Sequence, residues 1–176
     1  MEGRAAQLTV RLATPADVDL LAPIEVAAGA RFREVGMADV ADDDPPPRAQ
    51  YEEAVRRGHL WVAELDGAVV GYAWGVLLDG QHHLEQVSVL PGASGAGVGT
   101  ALVEQVASWA RTDGGSSLTL STFSDVPWNG PWYARRGFAP VPDDEVATSP
   151  RWQALRRHER EAGLDVDARI VMRRAL

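Results

Sequence analysis

The stretch Val87-Ser88-Val89-Leu90-Pro91-Gly92-Ala93-Ser94-Gly95-Ala96-Gly97-Val98-Gly99-Thr100 decides how this sequence is read. An alternating run ends at a proline, glycines occupy every second position from Gly95 to Gly99, and a helical pattern follows at once. Leu102, Val103, Val106, Ala107 and Ala110 recur at helical spacing and predict one buried stripe, which Gly114-Gly115 ends. Strand, glycine loop and helix in that order suit a phosphate group. Glycines let the backbone come close, and the first N–H groups of a helix lack internal acceptors and carry partial positive charge. The plainer alternative is a flexible turn into a helix. The spacing is not the G-x-G-x-x-G of dinucleotide sites, and the Gly-Lys-Ser/Thr of a Walker loop is absent.

Outward from this loop, Leu8 to Leu12 alternates apolar and polar residues, as a half-buried strand does. Thr14-Pro15-Ala16-Asp17 reads as a capped helix start, and Leu20, Leu21, Ile24, Ala27 and Ala28 predict the face that this helix buries. Gly36 to Pro47, with Asp42-Asp43-Asp44-Pro45-Pro46-Pro47, predicts a loop, and Arg48 to Arg57 a short helix stopped by Gly58. Leu60–Leu65 and Ala68–Leu78 predict a hairpin around Asp66-Gly67, and a further strand, His83 to Leu90, follows Asp79-Gly80. Beyond the glycine loop, Ser117 to Phe123 is strand-like, and Pro131 to Arg136 is a short helix. Gly137 to Val141 is extended, Trp152 to Ala162 helical, and Ala168 to Met172 a closing strand. The expected fold is mixed α/β, or α+β, in a single domain spanning 1–176.

Composition bounds the chemistry. The chain has 176 residues and a formal charge of −8, which disfavours non-specific binding to nucleic acid or to an anionic membrane. All 17 basic residues are arginine, so Schiff-base chemistry is excluded. No cysteine is present, which removes disulfides, thiolate metal sites and a cysteine nucleophile, and 4 histidines make a multi-histidine metal centre unexpected. Met1 to Gln7 lacks the apolar core of a secretory signal, and no apolar run approaches the ~20 residues of a membrane span. A cytoplasmic protein without metal is expected.

Two stretches resemble the GNAT superfamily of acetyl-CoA-dependent N-acetyltransferases. Val87 to Gly99 is similar to that family's strand ending in x-V-x-P followed by Q/R-x-x-G-x-G/A at a helix start. Asn129-Gly130-Pro131-Trp132-Tyr133-Ala134-Arg135-Arg136-Gly137-Phe138 is similar to its N-x-x-x-x-x-F/Y-Y-x-x-x-G-F region. The resemblance spans nearly the whole chain. It implies a mostly antiparallel, twisted central sheet splayed between two strands, with helices on both faces. Acetyl-CoA would be the co-substrate, lying between the strand ending near Val89 and the strand Ser117–Phe123. Val87, Ser88 and Val89 would pair with its pantetheine arm, and the N–H groups of Ser94, Gly95, Ala96, Gly97, Val98, Gly99 and Thr100 would hold its pyrophosphate. The family's usual Arg or Gln is Ser94 here, and Ala96 replaces another frequent basic residue, so a charge-assisted contact is missing.

The same resemblance gives Tyr133 the role of general acid toward the departing thiolate, against that of a core tyrosine. Glu85 is the candidate general base, or else a solvated strand carboxylate; strand parity sets it beside Val87 and Val89, where apolar neighbours would raise its pKa. His82 and His83 are alternative bases or surface residues, and adjacency lets only one face the cleft. His59 and His158 carry no motif. Asn129 either bonds the pantetheine or caps the helix before Pro131. The family's loop between its first two helices usually covers the acceptor. Here that loop, with Asp42-Asp43-Asp44, either attracts a cationic amine or is simply solvated. Trp128, Trp132 and Trp152 either line an acceptor pocket or fill core, and Asp143 to Gly163 borders the site. The expected activity is acetyl transfer to a primary amine, most readily a small molecule, by direct attack in a ternary complex. The alternatives are acetylation of a protein N-terminus or lysine, and a non-catalytic acyl-CoA-binding sensor. A homodimer is compatible with this reading.

Overall fold

The structure, a computed structural model, describes residues 6–176. Most of the N-terminal stretch read for a secretory signal therefore lies outside the described residues. Its elements are β1 (Leu8–Leu12), α1 (Val18–Gly29), α2 (Ala38–Ala41), α3 (Arg48–Arg56), β2 (Leu60–Leu65), β3 (Ala68–Leu78) and β4 (Gln81–Val89). They continue as α4 (Val98–Thr112), β5 (Ser117–Phe123), α5 (Gly130–Ala134), β6 (Ala139–Pro140), α6 (Asp143–Thr148), α7 (Pro150–Glu161) and β7 (Arg169–Ala175). The strands order as β1-β2-β3-β4-β5-β7-β6. The sheet is mixed: β1–β2, β2–β3, β5–β7 and β6–β7 run antiparallel, and β4–β5 runs parallel at His83↔Thr119 and Leu84↔Leu120. No helix among the described residues is long and apolar enough to cross a membrane.

Contacts divide the chain into two compact units. One takes the chain up to Gly75 and then Gln86–Ser108; the other takes Val76–Glu85 and Trp109–Leu176. In the first, the start of α1 is tied to the sheet by charge. Arg11 grips Asp17 with both terminal nitrogens, at 2.8 and 2.9 Å, and donates through Nε to Glu64 at 2.8 Å. Asp17 also accepts from the Thr14 N–H at 2.7 Å and from Oγ1 at 2.9 Å, so the expected Thr14–Asp17 cap forms. Arg11 holds the Asp17 carboxyl well below the usual carboxylate range.

Helix α1 buries Val18, Leu21 and Ile24 against Tyr51, Ala54, Leu60, Val62 and Tyr72. Leu20, expected inward, is exposed, because spacing from Val18 through Leu21 to Ile24 turns it to the solvent side. The loop expected from Gly36 to Pro47 contains the single turn α2, and Asp42 at its end pairs with Arg33. Both two-residue turns adopt left-handed geometry, with φ of 51° and 84° at Asp66-Gly67 and 51° and 76° at Asp79-Gly80.

Gly71 and Tyr72 are adjacent in β3 and point to opposite faces. Tyr72 enters the α1–α3 core, whereas a Cβ on Gly71 would meet Ser88 O at 2.8 Å, Val89 Cγ2 at 3.2 Å and α4 Leu102 Cδ1 at 3.3 Å. Helices thus cover both faces of this part of the sheet. Leu102, Val103, Val106, Ala107 and Ala110 are all fully buried, as their spacing predicts. Gly71→Ala is expected to destabilise the protein by about 1–3 kcal/mol, since the closest atom is backbone that moves only with its strand. Urea denaturation reads this as a lower midpoint at an unchanged slope. A midpoint equal to that of the parent would show that β4 yields freely.

Candidate functional site

In the first unit, the approach to the glycine loop is set by backbone. The pairing Ala63↔Gly71 followed by Glu64↔Val69 leaves Val70 as a bulge, and its carbonyl accepts from Leu90 N–H at 2.8 Å just as β4 ends. Pro91–Ala93 then forms one tight turn, with Ser94 N–H donating to Pro91 O at 3.1 Å. Ala93 and Val98 are buried, and the residues between them, Ser94, Gly95, Ala96 and Gly97, are exposed. Gly95 and Gly97 have φ of 83° and 80°, and a Cβ on either would meet nothing within 4 Å. These glycines are therefore there for their left-handed conformation, not for close packing. Ala96 N–H donates to Ala93 O at 3.3 Å, so of the loop's N–H groups those of Ser94 and Ala96 are already engaged within the turn. Val98 and Gly99 open α4, where the first N–H groups have no acceptor inside the helix. An exposed turn with two left-handed glycines that leads into a helix start is a backbone arrangement suited to an anion.

Along β4 toward this loop, Val87 and Val89 are half-buried and Ser88 is buried. Ser88 Oγ accepts from Gln86 Nε2 at 3.0 Å. Thr100, in the first turn of α4, is half-buried.

The second unit holds Glu85, Asn129 and Tyr133. Glu85 is exposed, where its sequence context had set it beside apolar neighbours. Asn129 immediately precedes α5 but its side chain makes no capping hydrogen bond; its carbonyl accepts from Tyr133 N–H at 2.9 Å. The capping alternative for Asn129 is thereby removed. Gly130 seats α5 against the end of β5: a Cβ there would fall 2.5 Å from Ser124 O and 3.1 Å from Phe123 O. No other residue allows that approach, and nothing local in the sequence signals it. Tyr133 is half-buried between Trp132, ring centroids 5.0 Å apart, and Phe138, 5.7 Å apart, both edge-on. Burial pushes its hydroxyl up to about 12, against a partial pull downward from Arg136 and Arg169. It therefore carries its proton throughout the physiological range. The Arg136 guanidinium stacks on Trp132 at 3.4 Å.

His82 and His83 are both buried, which corrects the expectation of surface residues. They point to opposite faces, and each face is covered. His82 lies edge-on to Trp109 at 4.8 Å and donates through Nε2 to Asp113 at 2.9 Å. His83 lies 6.4 Å from Trp152, itself fully buried, so Trp152 belongs to core. Thr119 donates its hydroxyl hydrogen to His82 O at 3.1 Å, so the 2.9 Å contact with His83 must use a hydrogen on His83 Nδ1. Burial pushes His83 down to about 4, keeping it neutral. Neither ring is placed as a cleft base.

A buried ionic cluster lies beyond the residues singled out in the sequence. Glu159 accepts from Arg169 Nε and Arg156 Nη1, each at 2.9 Å, and from the Ser121 hydroxyl. Burial raises the Glu159 carboxyl, but Arg169, Ser121 and Arg156 together hold it below its usual range. Arg169 also donates to Ser121 O at 3.0 Å, which fastens the outer end of β7 to β5. Charges scattered along a helix and a strand gave no pattern by which this cluster might be found.

A family model described as the acetyltransferase (GNAT) family matches residues 27–138. N-acetylglutamate synthase from Neisseria gonorrhoeae, solved with coenzyme A and N-acetyl-glutamate, is similar in structure, with a TM-score of 0.71 at 20% identity. That match covers 98% of this chain and 36% of that one, so the present chain spans about a third of that enzyme's length. A Mycobacterium tuberculosis protein solved with CoA has a TM-score of 0.69 at 23% identity, covering 96% of this chain and 99% of that one. The ribosomal-protein-S18-alanine N-acetyltransferase of Escherichia coli has a TM-score of 0.64 at 17% identity, covering 96% and 94%. These likenesses establish the fold.

The buried, neutral His83 gives stability a defined pH dependence. Its folded pKa lies below the unfolded value, so its contribution is complete above about 6.5 and is lost as pH falls toward about 4. The melting temperature should drop across that window, and His83→Asn, which keeps a donor toward Thr119, should flatten the drop. Equal slopes in parent and variant would assign the pH dependence elsewhere.

Proposed function

The chain belongs to the acetyltransferase (GNAT) family, and from that premise we propose that it moves an acetyl group from acetyl-CoA to a primary amine by direct attack in a ternary complex. The observation that carries this reading is the loop Ser94–Gly97, exposed between buried Ala93 and Val98 and shaped by two left-handed glycines at the start of α4. The CoA complexes of the similar Neisseria and Mycobacterium proteins support the same cofactor here. N-acetyl-glutamate in the former supports a small-molecule acceptor.

In this reading, the N–H groups of Gly95, Gly97, Val98 and Gly99 hold the pyrophosphate, with Ser94 and Thr100 at the margins. Because the Ser94 and Ala96 N–H groups are engaged within the turn, they contribute least. Val87, Ser88 and Val89 pair with the pantetheine arm through backbone, and Asn129 supplies an amide to it. When bound, acetyl-CoA supplies an activated carbonyl whose C–S bond breaks as the C–N bond forms. Main-chain N–H near Val87 polarises that carbonyl, and exposed Glu85 accepts the proton that the amine loses, directly or through water.

Tyr133 acts on the leaving sulfur. A tyrosine held at about 12 is a weaker acid than an ordinary thiol near ~8.5, so its main contribution is the hydrogen bond it donates to the departing thiolate. Arg136 and Arg169 ease that donation by their charge. Among the described residues nothing else hydrogen-bonds to the Tyr133 hydroxyl, which leaves it free for this partner.

Thiol release with an amine panel tests the assignment. Tyr133→Phe is expected to lower kcat well over ~10-fold while the Kd of acetyl-CoA changes little. Unchanged turnover in that variant would remove Tyr133 from the mechanism. Absence of turnover with every amine, in a parent protein that binds acetyl-CoA, would favour a sensor.

A further inference from the structure

Tyr133 lies in α5, a helix of 5 residues, too short to be stable by itself or to aim a side chain unaided. The end of β5 supplies what the helix lacks. A Cβ on Gly130 would lie 2.5 Å from Ser124 O and 3.1 Å from Phe123 O, so the turn carrying Tyr133 rests on that backbone. The same backbone is gripped from the side of β7. Ser124 donates to Ala168 O through its N–H at 2.9 Å and through its hydroxyl at 3.2 Å. Arg169 pairs with Phe123 in the register of β5 and β7, lays its guanidinium 4.7 Å from the Phe123 ring, and donates through Nη2 to Ser121 O at 3.0 Å. All these residues belong to the second unit.

Arg169 is itself held. Its Nε donates to Glu159 Oε1 at 2.9 Å, and its carbonyl accepts from Arg156 Nη2 at 2.9 Å. The other oxygen of Glu159 accepts from Arg156 Nη1 at 2.9 Å, and Oε1 also takes the Ser121 hydroxyl. The Glu159 side chain is only 4% exposed. An ion pair buried this deeply adds little stability over apolar side chains of the same volume, because desolvation offsets the attraction. What it adds is direction. A planar guanidinium with a carboxylate on one edge and a carbonyl on another has a single orientation. That orientation sets Arg169 against the end of β5 that seats α5, and its charge reaches the tyrosine: burial pushes the Tyr133 hydroxyl up, and Arg136 and then Arg169 draw it back.

We propose that Glu159 and Arg169 are positioning residues for Tyr133: Glu159 orients the Arg169 guanidinium, and Arg169 fixes the end of β5 on which the tyrosine's helix rests. The proposal rests on the reading of Tyr133 as hydrogen-bond donor to the departing thiolate, and it adds the side chains that keep this donor in line. Both act through Tyr133, and neither is itself a catalytic group.

The chain has 3 tyrosines, so carbon-13 labelling at tyrosine Cζ gives one NMR signal for each, and Tyr133→Phe identifies its own. Arg169→Gln and Glu159→Gln are each expected to move the Tyr133 signal. Tyr51 and Tyr72, in the core of the first unit, should keep theirs. This readout needs neither acetyl-CoA nor an acceptor. In thiol release with the best amine of the panel, both variants should lower kcat about tenfold, with the KM of acetyl-CoA within about twofold of the parent's. In a Tyr133→Phe background, Arg169→Gln should cost less than about twofold more. Arg169→Lys, which keeps the charge but not the fork, should recover part of the loss, and it replaces Arg169→Gln if that variant fails to fold. A Tyr133 signal unmoved in the variants would overturn the proposal. So would parent-like kcat in them while Tyr133→Phe loses turnover, or a loss that persists in full in the Tyr133→Phe background. Parent-like turnover of Tyr133→Phe with a moved signal would leave the positioning standing and overturn the thiolate-donor reading instead.

Discussion

Two buried side chains, Ala93 and Val98, pin the ends of an exposed turn, and the candidate site is organised around that constraint. Val98 is buried at the head of α4, whose stripe from Leu102 to Ala110 fixes how the helix lies. Ala93 is buried at the end of the turn that follows β4, where Leu90 is bonded to the bulged Val70. With both ends fixed, Gly95 and Gly97 need only adopt positive φ for the chain to turn outward between them. Packing thus shapes a surface that packing itself does not occupy.

The strand that leads into the turn is held just as firmly. Three successive residues of β4, His82, His83 and Leu84, are buried, which a strand achieves only when both its faces are covered. His82 meets Trp109 and Asp113 on one side, and His83 meets Trp152 and Thr119 on the other. One nitrogen of each ring donates to a partner, Asp113 for His82 and Thr119 for His83, so two polar residues are buried without leaving orphaned donors. Their place beside the parallel pairing to β5 makes them structural anchors of the sheet and not proton carriers.

Much of this was legible because the deciding features are local. Asp66-Gly67 and Asp79-Gly80 announce their turns through residues that tolerate positive φ, and Gly114-Gly115 marks the break between α4 and the strand Ser117–Phe123. The buried stripe of α4 follows from spacing alone. What escaped depends on partners distant in sequence. Helix α6 is short, and Glu145 within it is held by Arg173 at 2.8 Å, a contact no local pattern announces. The burial of His82 and His83 requires Trp109 and Trp152, and the Glu159 cluster requires β5, α7 and β7 to meet. Family resemblance marked Glu85, Asn129 and Tyr133, and the conformation of each was settled by its surroundings: Glu85 exposed, Asn129 without a cap bond, Tyr133 between two rings.

The central claim is that the turn from Ser94 to Gly97 binds a CoA pyrophosphate although its usual basic side chain is a serine. The most direct measurement is the shift in melting temperature on adding acetyl-CoA, with free CoA and ATP as comparisons. At ~100 times Kd, a ligand stabilises the fold by about 2.7 kcal/mol, a rise of about 5 °C or more for a chain of this size. A rise with acetyl-CoA and with CoA, but not with ATP, is the predicted result. No rise with either thiol ligand would contradict the account and show that backbone donors alone do not hold the pyrophosphate here.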